Sequence, residues 1–412
     1  MPFLSGRRSV LVFSCFAAAY FFSYAFRSIN AVIAPALMSE IGLSNADLGL
    51  LSSAYFVAFA GLQLPLGVWL DKYGARRTES GLLLFAAAGA MIFASSTTLT
   101  GLWLGRALLG MGVSACLMAP FKAYRQWYAP QRQSQLASWM LVVGTSGALA
   151  ATIPVTAALP LIGWRGIFWG MGVLILAAAA AIYFFLGDVE RSMERPQPLA
   201  AMPTKEAYRL IFSDRYFQRM ALLGLVNQAS FIALQSLWAG PWMMTVLGMS
   251  RAQTSQILFV FNFSLMLAYV VLGWWAPRHV ERSWSVVQVV AVGLFGTILA
   301  QAAIISITAS WAWIFWIMLA VCVTVATLVQ THVSMSFPSA LAGRANTAFN
   351  LLTFVGAFLV QWGVGIFIDV FQAHGATSAR AMQGAFAVCL ACQAAALFAF
   401  VFSKAHRELA TT

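Results

Sequence analysis

Charge is the scarce ingredient of this sequence. Asp, Glu, Lys and Arg make up 9% of 412 residues, against roughly 25% in soluble domains. That shortage, with 61% hydrophobic residues, excludes a water-soluble globular domain and points to a polytopic membrane protein. Acids are scarcer than bases, twelve against twenty-four. All twelve (Glu40, Asp47, Asp71, Glu79, Asp188, Glu190, Glu194, Glu206, Asp214, Glu281, Asp369 and Glu408) are read in loops, tails, a linker or the ends of apolar runs, none at mid-depth. A carrier of organic cations is expected to hold its ligand with an intramembrane acid, so this absence disfavours one.

Cysteine is sparse too. Cys15, Cys116, Cys322, Cys389 and Cys392 all lie in apolar runs without metal spacing, and they read as buried small residues rather than a disulfide set. No Ser/His/Asp or Asp/Asp set falls within the spans, which argues against membrane-enzyme chemistry, and no cofactor or metal is implied. A cleavable leader is not expected, because Arg7 and Arg8 precede a run too long for a signal segment.

What the sequence does have is length in its apolar runs. Crossing the hydrocarbon core takes about 20 residues of helix. Twelve runs qualify, at roughly 10–37, 47–70, 79–97, 100–124, 134–158, 165–186, 217–245, 252–276, 284–306, 311–335, 345–370 and 380–403. The reading is therefore an all-α membrane protein of twelve transmembrane helices. Nineteen of the 24 Lys and Arg fall at one set of ends. That asymmetry places both termini in the cytoplasm, accounts for the +12 formal charge and leaves no call for nucleic acid. A polar, Pro-containing stretch marks a cytoplasmic linker over 187–215, between six-helix bundles at 1–186 and 216–412, the second with a short tail.

The bundles echo each other. Pro35-Ala-Leu-Met-Ser-Glu-Ile-Gly42-Leu-Ser44 reads against Pro241-Trp-Met-Met-Thr-Val-Leu-Gly248-Met-Ser250 at an offset of 206, and Gly67 and Lys72 fall opposite Gly273 and Arg278. Such a repeat is expected of a two-bundle transporter. Between the second and third runs stands Gly67-Val-Trp-Leu-Asp71-Lys72-Tyr-Gly74-Ala-Arg76-Arg77. Its spacing, G-x-x-x-D-[RK]-x-G-x-[RK]-[RK], resembles the loop between helices 2 and 3 of the major facilitator superfamily. Arg106-Ala-Leu-Leu-Gly110-Met-Gly112 resembles that family's R-x-x-x-G-x-G stretch, while Gly144-Thr-Ser-Gly147 is a loose echo of the drug/proton antiporter signature. The resemblance covers nearly the whole chain. It implies alternating access by a monomer about a midplane site, and it names no substrate.

The intramembrane cations carry the functional reading. Arg27 shares a helix face with Tyr20 and Tyr24, and Tyr24-Ala-Phe-Arg27-Ser-Ile-Asn30 resembles the span 1 arginine of the organic-anion and organophosphate branches. The resemblance implies that its guanidinium holds a carboxylate or phosphate; the alternative is a brace between helices. Arg106 is open between substrate contact, proton relay and bracing. Lys122 either lines the cavity or snorkels to the cytoplasm, and Arg125 is assigned to the charge network around Asp71. Gln235 and Trp238, near the repeat-equivalents of Arg27 and Asn30, are the candidates from the second bundle. Asp71, with Lys72, Gly74, Arg76 and Arg77, is expected to latch one end-state by capping a helix of the other bundle; the bland reading is a Gly74 turn lying on anionic lipid. His332 is the histidine placed within a span, open between carrying a coupling proton and a plain hydrogen bond near the cytoplasmic end.

Unpaired cations and no deep acid leave the counter-charge to the ligand. The expectation is a secondary transporter for a small organic anion, a carboxylate or phosphorylated compound, in a bacterial inner membrane, with protons the candidate coupling ion and uniport or exchange left open. An inorganic anion such as nitrate is the alternative, then a hydrophobic-drug exporter; outside transport, a receptor or scaffold.

Overall fold

The structure, a computed structural model, describes residues 4, 6–129, 132–192, 203–280 and 283–402. Of Asp71, Gln133, Ser134, Thr204, Pro277, Arg278, Ser334, Ser339 and Ala340 it describes the backbone alone. The chain divides into two compact units, 1–41 with 54–199 and 42–53 with 200–412.

The first unit holds α1 (Gly6–Ser28), α2 (Asn30–Ile41), the later part of α3 (Asn45–Gly61), α4 (Gln63–Ser95), α5 (Leu99–Gly112), α6 (Met118–Trp127), α7 (Gln133–Ala150), α8 (Ile153–Phe185) and the short α9 (Gly187–Ser192). Two of these are rods joined at a glycine. Gly74 (φ 80°) turns the chain inside α4, and Gly163 (φ 65°) turns it inside α8. Both values lie in the left-handed region that only glycine enters without strain. The motif turn at Gly74 thus starts the third apolar rod at Ala75.

The second unit holds α10 (Thr204–Ser213) and α11 (Arg215–Leu223). A broken rod then runs through α12 (Ala229–Ala233) and α13 (Ala239–Thr245). The long helices α14 (Arg251–His279) and α15 (Val286–Ser306) follow, then α16 (Ile314–Val323), α17 (Ala326–Met335), α18 (Ser339–Ala373) and α19 (Ser378–Phe402). Two wide π-helical turns, Gly224–Gln228 and Leu234–Trp238, interrupt the α11–α13 rod. Such turns recur at functional positions.

Among the described residues nine helices are long and apolar enough to cross a membrane, or ten if the bent pair Asn45–Gly61 and Gln63–Leu70 is one span. The twelve expected runs reappear with breaks. The first is split at Ile29, the fourth between Gly112 and Met118, and the fifth at Ala151–Thr152.

The internal repeat has a structural counterpart. Gly42 (φ 73°) and Gly248 (φ 66°) each close a helix in the left-handed conformation. Two residues later Ser44 and Ser250 each open the next one. Asp47 and Ser44 exchange hydrogen bonds (Asp47 N–H to Ser44 Oγ 3.0 Å, Ser44 N–H to Asp47 Oδ2 3.1 Å), and Ser250 and Gln253 form a full capping box. Each pair satisfies backbone donors that a helix start leaves open. The start of α3 is also capped by Asp369 of α18, whose carboxylate accepts from Ala46 N–H at 2.7 Å and from Asn45 Nδ2 at 2.9 Å. These residues fall in the second unit, where the anion complements the positive helix end.

Lipid tails give helices no hydrophobic reason to associate, so close backbone approach at small residues matters. A Cβ at Gly110 would overlap the Tyr55 carbonyl, one at Gly112 would overlap the Ala86 backbone, and one at Gly147 would overlap the Phe21 carbonyl. The R-x-x-x-G-x-G stretch is therefore where α5 presses on α3 and α4. All five cysteines are free thiols. Cys15, Cys116 and Cys389 are buried, but Cys322 is half-buried and Cys392 exposed, a departure from the expectation that all five are buried. Large apolar side chains such as Leu161, Phe184 and Phe402 stand outward, as lipid-facing residues do.

These contacts predict opposite outcomes for two glycines. Gly110→Ala should lower stability by about 1–3 kcal/mol through overpacking. Gly81→Ala, where an added Cβ meets nothing within 4 Å, should be neutral or gain up to about 1 kcal/mol. Thermal melting of the two purified variants in detergent checks the pair.

Candidate functional site

Arg27 sits in the last turn of α1, half-buried. Its guanidinium lies 3.9 Å from the centre of the Tyr24 ring, and Tyr20 packs edge-on to Tyr24 at 5.0 Å. Tyr55 of α3 closes the other side, its hydroxyl donating to the Ser23 carbonyl at 3.2 Å. The polar groups ranged against Arg27 are thus three tyrosines, and no described carboxylate pairs with it. Spacing places Tyr20, Tyr24 and Arg27 on one face, and α7 holds them there. A Cβ at Gly144 would meet the Tyr20 ring at 2.6 Å and the Tyr24 ring at 3.1 Å. A guanidinium stacked on an aromatic face keeps its N–H edge for a planar anion. Asn30, at the start of α2, is buried three residues on.

Arg106 of α5 is 1% exposed. It donates from Nη1 to the Phe26 carbonyl at 2.7 Å and lies 5.2 and 5.5 Å from the rings of Phe93 and Phe168. Its Nε and Nη2 have no hydrogen-bond partner among the described residues. The carbonyl it grips belongs to the peptide joining Phe26 to Arg27, so Arg106 fixes the backbone that presents Arg27.

The loop motif makes contacts inside its own unit. Arg76 donates from Nε to Glu190 Oε2 of α9 at 2.7 Å and from Nη1 to the Tyr183 carbonyl at 2.9 Å. A Cβ at Gly74 would overlap the Glu190 carboxylate, so the glycine serves both the turn and this clasp. Arg77 is exposed, and Lys72 is exposed with Nζ 5.2 Å from the Tyr73 ring. The cleft beside them, about 510 Å³, is lined by Arg76, Arg77, Glu190 and Arg191 among others. The side chain of Asp71, the expected cap, lies outside the described residues. On α6, Lys122 is half-buried and Arg125 exposed.

In the second unit, Gln235 and Trp238 lie on the second π-helical turn. Gln235 Nε2 donates to Asn262 Oδ1 at 2.9 Å, and the buried Trp238 indole donates to the Gln361 carbonyl at 3.1 Å. Both side chains are engaged within that unit. His332 of α17 holds the Tyr216 hydroxyl on Nδ1 at 2.5 Å.

Glu79, read from sequence as a residue at a span end, lies five residues beyond the Gly74 turn and is wholly buried (0% exposed) in α4, which the sequence reading did not foresee. The Gly74 turn puts it on the stripe with Leu83, Ala86 and Ala90, all at 0% exposure. Two further groups escaped the sequence reading. Tyr55 lies in an unremarkable apolar run, and Arg219 follows Arg209 and Arg215 in a basic stretch. Arg219 is instead buried, donating from Nε and Nη2 to the Phe400 carbonyl at 2.9 and 2.7 Å, which ties α11 to α19.

Comparison with known proteins adds a family. Residues 16–361 match the model of the Major Facilitator Superfamily. A chloramphenicol resistance protein of Pseudomonas aeruginosa is 26% identical over 68% of this chain and 64% of that protein. A hexuronate transporter of Escherichia coli K12 is 25% identical over 65% of each. The matches thus span somewhat less than two thirds of these relatives' length. Among solved structures, a bacterial homologue of the human lysosomal transporter Spinster, inward-facing and unoccupied, superposes with a TM-score of 0.77. That alignment has 16% identity over 96% of this chain and 97% of the other, a likeness of fold alone.

The Arg76–Glu190 clasp, with side chains 10% and 11% exposed, should behave as a coupled pair. Arg76→Gln and Glu190→Gln are each expected to cost about 1–3 kcal/mol, and the double variant less than their sum. A double-mutant cycle by chemical denaturation measures the coupling.

Proposed function

The chain belongs to the Major Facilitator Superfamily, and on that premise we propose that it carries a small organic anion, a carboxylate or a phosphorylated compound, by proton-coupled symport. Membership makes it a multi-pass membrane transporter rather than an enzyme; the substrate class is the added reading. One observation carries it: Arg27, half-buried and stacked on Tyr24, has three tyrosines and no described carboxylate around it. A fixed cation at that depth costs at least about 2.5–3.5 kcal/mol, which a bound anion offsets. The ligand's apolar part would lie against Tyr20, Tyr24 and Tyr55, while Arg106 positions the Arg27 backbone. Lys122 and Asn30 extend the polar wall within the first unit. Gln235, Trp238 and the His332–Tyr216 pair are assigned to the second unit's share of binding and coupling.

The hexuronate transporter among the relatives is in keeping with a carboxylate. The remaining assignments follow the positive-inside pattern and the family. They are a monomer in a bacterial inner membrane, both termini cytoplasmic, with anionic lipid headgroups against Arg77 and Arg191. The motif loop acts in gating through its clasp on α9.

A thermal-shift panel tests the substrate class. Acids that bind should raise the melting temperature of the wild type, by an amount equivalent to about 2.7 kcal/mol at a hundredfold excess over Kd. The same acids should leave Arg27→Ala unmoved. Stabilisation by neutral lipophiles only would favour an exporter like the chloramphenicol-resistance relative, and stabilisation by nitrate only would favour an inorganic anion. An equal response of Arg27→Ala would make Arg27 a brace.

A further inference from the structure

Glu79 is the buried acid for which nothing above has a use. It occupies the second turn of the rod that begins at Ala75, on the face that packs inward. Both carboxyl oxygens are enclosed, and the hydrogen-bonding group beside them is a neutral thiol, that of Cys116, with no cation paired to them among the described residues. The groups that face it come from neighbouring elements: the Cys116 thiol between α5 and α6, and farther off the Tyr124 hydroxyl of α6. Tyr124 itself is 1% exposed and Cys116 likewise, so that side is closed to solvent and offers no charge.

The cations near it in sequence or space are engaged elsewhere. Arg76, one turn earlier on the same helix, donates to Glu190 and to the Tyr183 carbonyl. Arg106 donates to the Phe26 carbonyl. Arg77 points outward. An ionised carboxylate in such a place would be a buried charge without a counter-ion, which costs far more than neutralising it. The carboxyl is therefore held as the neutral acid, with one proton, in this conformation.

We propose that Glu79 is the proton-binding site of the transporter, charged with one proton in the closed conformation and releasing it when the base of the third rod opens. The purpose of the site rests on the anion-transport reading; its protonation does not. The stoichiometry is simple. One proton taken up by the carboxylate and one monovalent anion held at Arg27 cross together with no net charge. On release the proton passes to solvent, and the carboxylate left behind must be hydrated before the cycle continues. The route to solvent is short. Glu79 lies five residues beyond the Gly74 turn and three beyond Arg76, whose clasp on Glu190 closes that end of the rod. Opening the clasp exposes the carboxyl, and closing it returns the carboxyl to an apolar setting that only the protonated form tolerates.

Two measurements on the full-length protein in lipid test this. The first needs no substrate. Infrared difference spectra of wild type against Glu79→Gln in neutral buffer should show a protonated-carboxyl stretch present in the first and lost in the second, and Glu79→Asp should restore it at a shifted position. Identical spectra would overturn the protonation. The second uses proteoliposomes with an internal pH dye and galacturonate as the probe. Wild type should couple galacturonate entry to proton entry, while Glu79→Gln, a neutral isostere, keeps galacturonate exchange and loses the dye response. A dye response in Glu79→Gln equal to wild type would overturn the carrier role. Failure of wild type to move galacturonate would count against the anion reading, and the infrared result would still decide for or against the proton on Glu79.

Discussion

A guanidinium does not give up its proton at any pH a cell offers, and a membrane interior does not hydrate it. That constraint organises this molecule. Each buried or half-buried arginine among those described above has found electrons by a different route. Arg106 takes a backbone carbonyl and two phenylalanine faces. Arg219 takes a carbonyl of the last helix with both of its donors, and the ring of Phe400 besides. Arg76 takes a carboxylate, a carbonyl and a tyrosine ring. Arg27 has tyrosines alone. The first three each tie two elements together, although Arg106 keeps Nε and Nη2 without a hydrogen-bond partner among the described residues. The fourth leaves a hydrogen-bonding edge with no described acid to meet it, which is why the functional reading gathers there.

Glu79 faces the same constraint with the opposite sign, but a carboxyl has an escape that a guanidinium lacks: it can stay neutral. The first unit thus holds a permanent cation at Arg27 and a buried acid at Glu79. In the same unit Arg106 grips the Phe26 carbonyl, and α5 meets α3 and α4 through its glycines. Because the helices touch through backbone at Gly110 and Gly112, a movement of α5 cannot be absorbed by side-chain repacking and must be passed to its neighbours.

Much of this was legible in the sequence, for definite reasons. Twelve apolar runs follow from hydropathy because lipid demands continuous backbone satisfaction. The repeat at offset 206 foretold matched helix junctions, and Gly42 and Gly248 with their serine caps form them. Arg27 and its tyrosines were legible from helical spacing. What escaped depends on the third dimension. Glu79 follows two arginines, so its neighbours suggest a loop, and only the positive φ at Gly74 makes it a core residue. Arg219 and Arg76 have the composition of cytoplasmic charge but are turned inward to distant carbonyls and an acid. The break at Ile29 falls where no proline announces it, whereas Pro120, with no N–H to offer the Cys116 carbonyl, marks the one between Gly112 and Met118.

The central claim is that the charge missing beside Arg27 is brought by the substrate. The direct test removes that charge from the ligand instead of the protein. The acid that best stabilises the wild type would be compared with its primary amide, equal in size and uncharged, as competitors for uptake of the labelled acid into proteoliposomes. The account predicts that the acid competes and the amide does not. Equal competition by both would show that the site reads shape without charge, and the role given to Arg27 would fall.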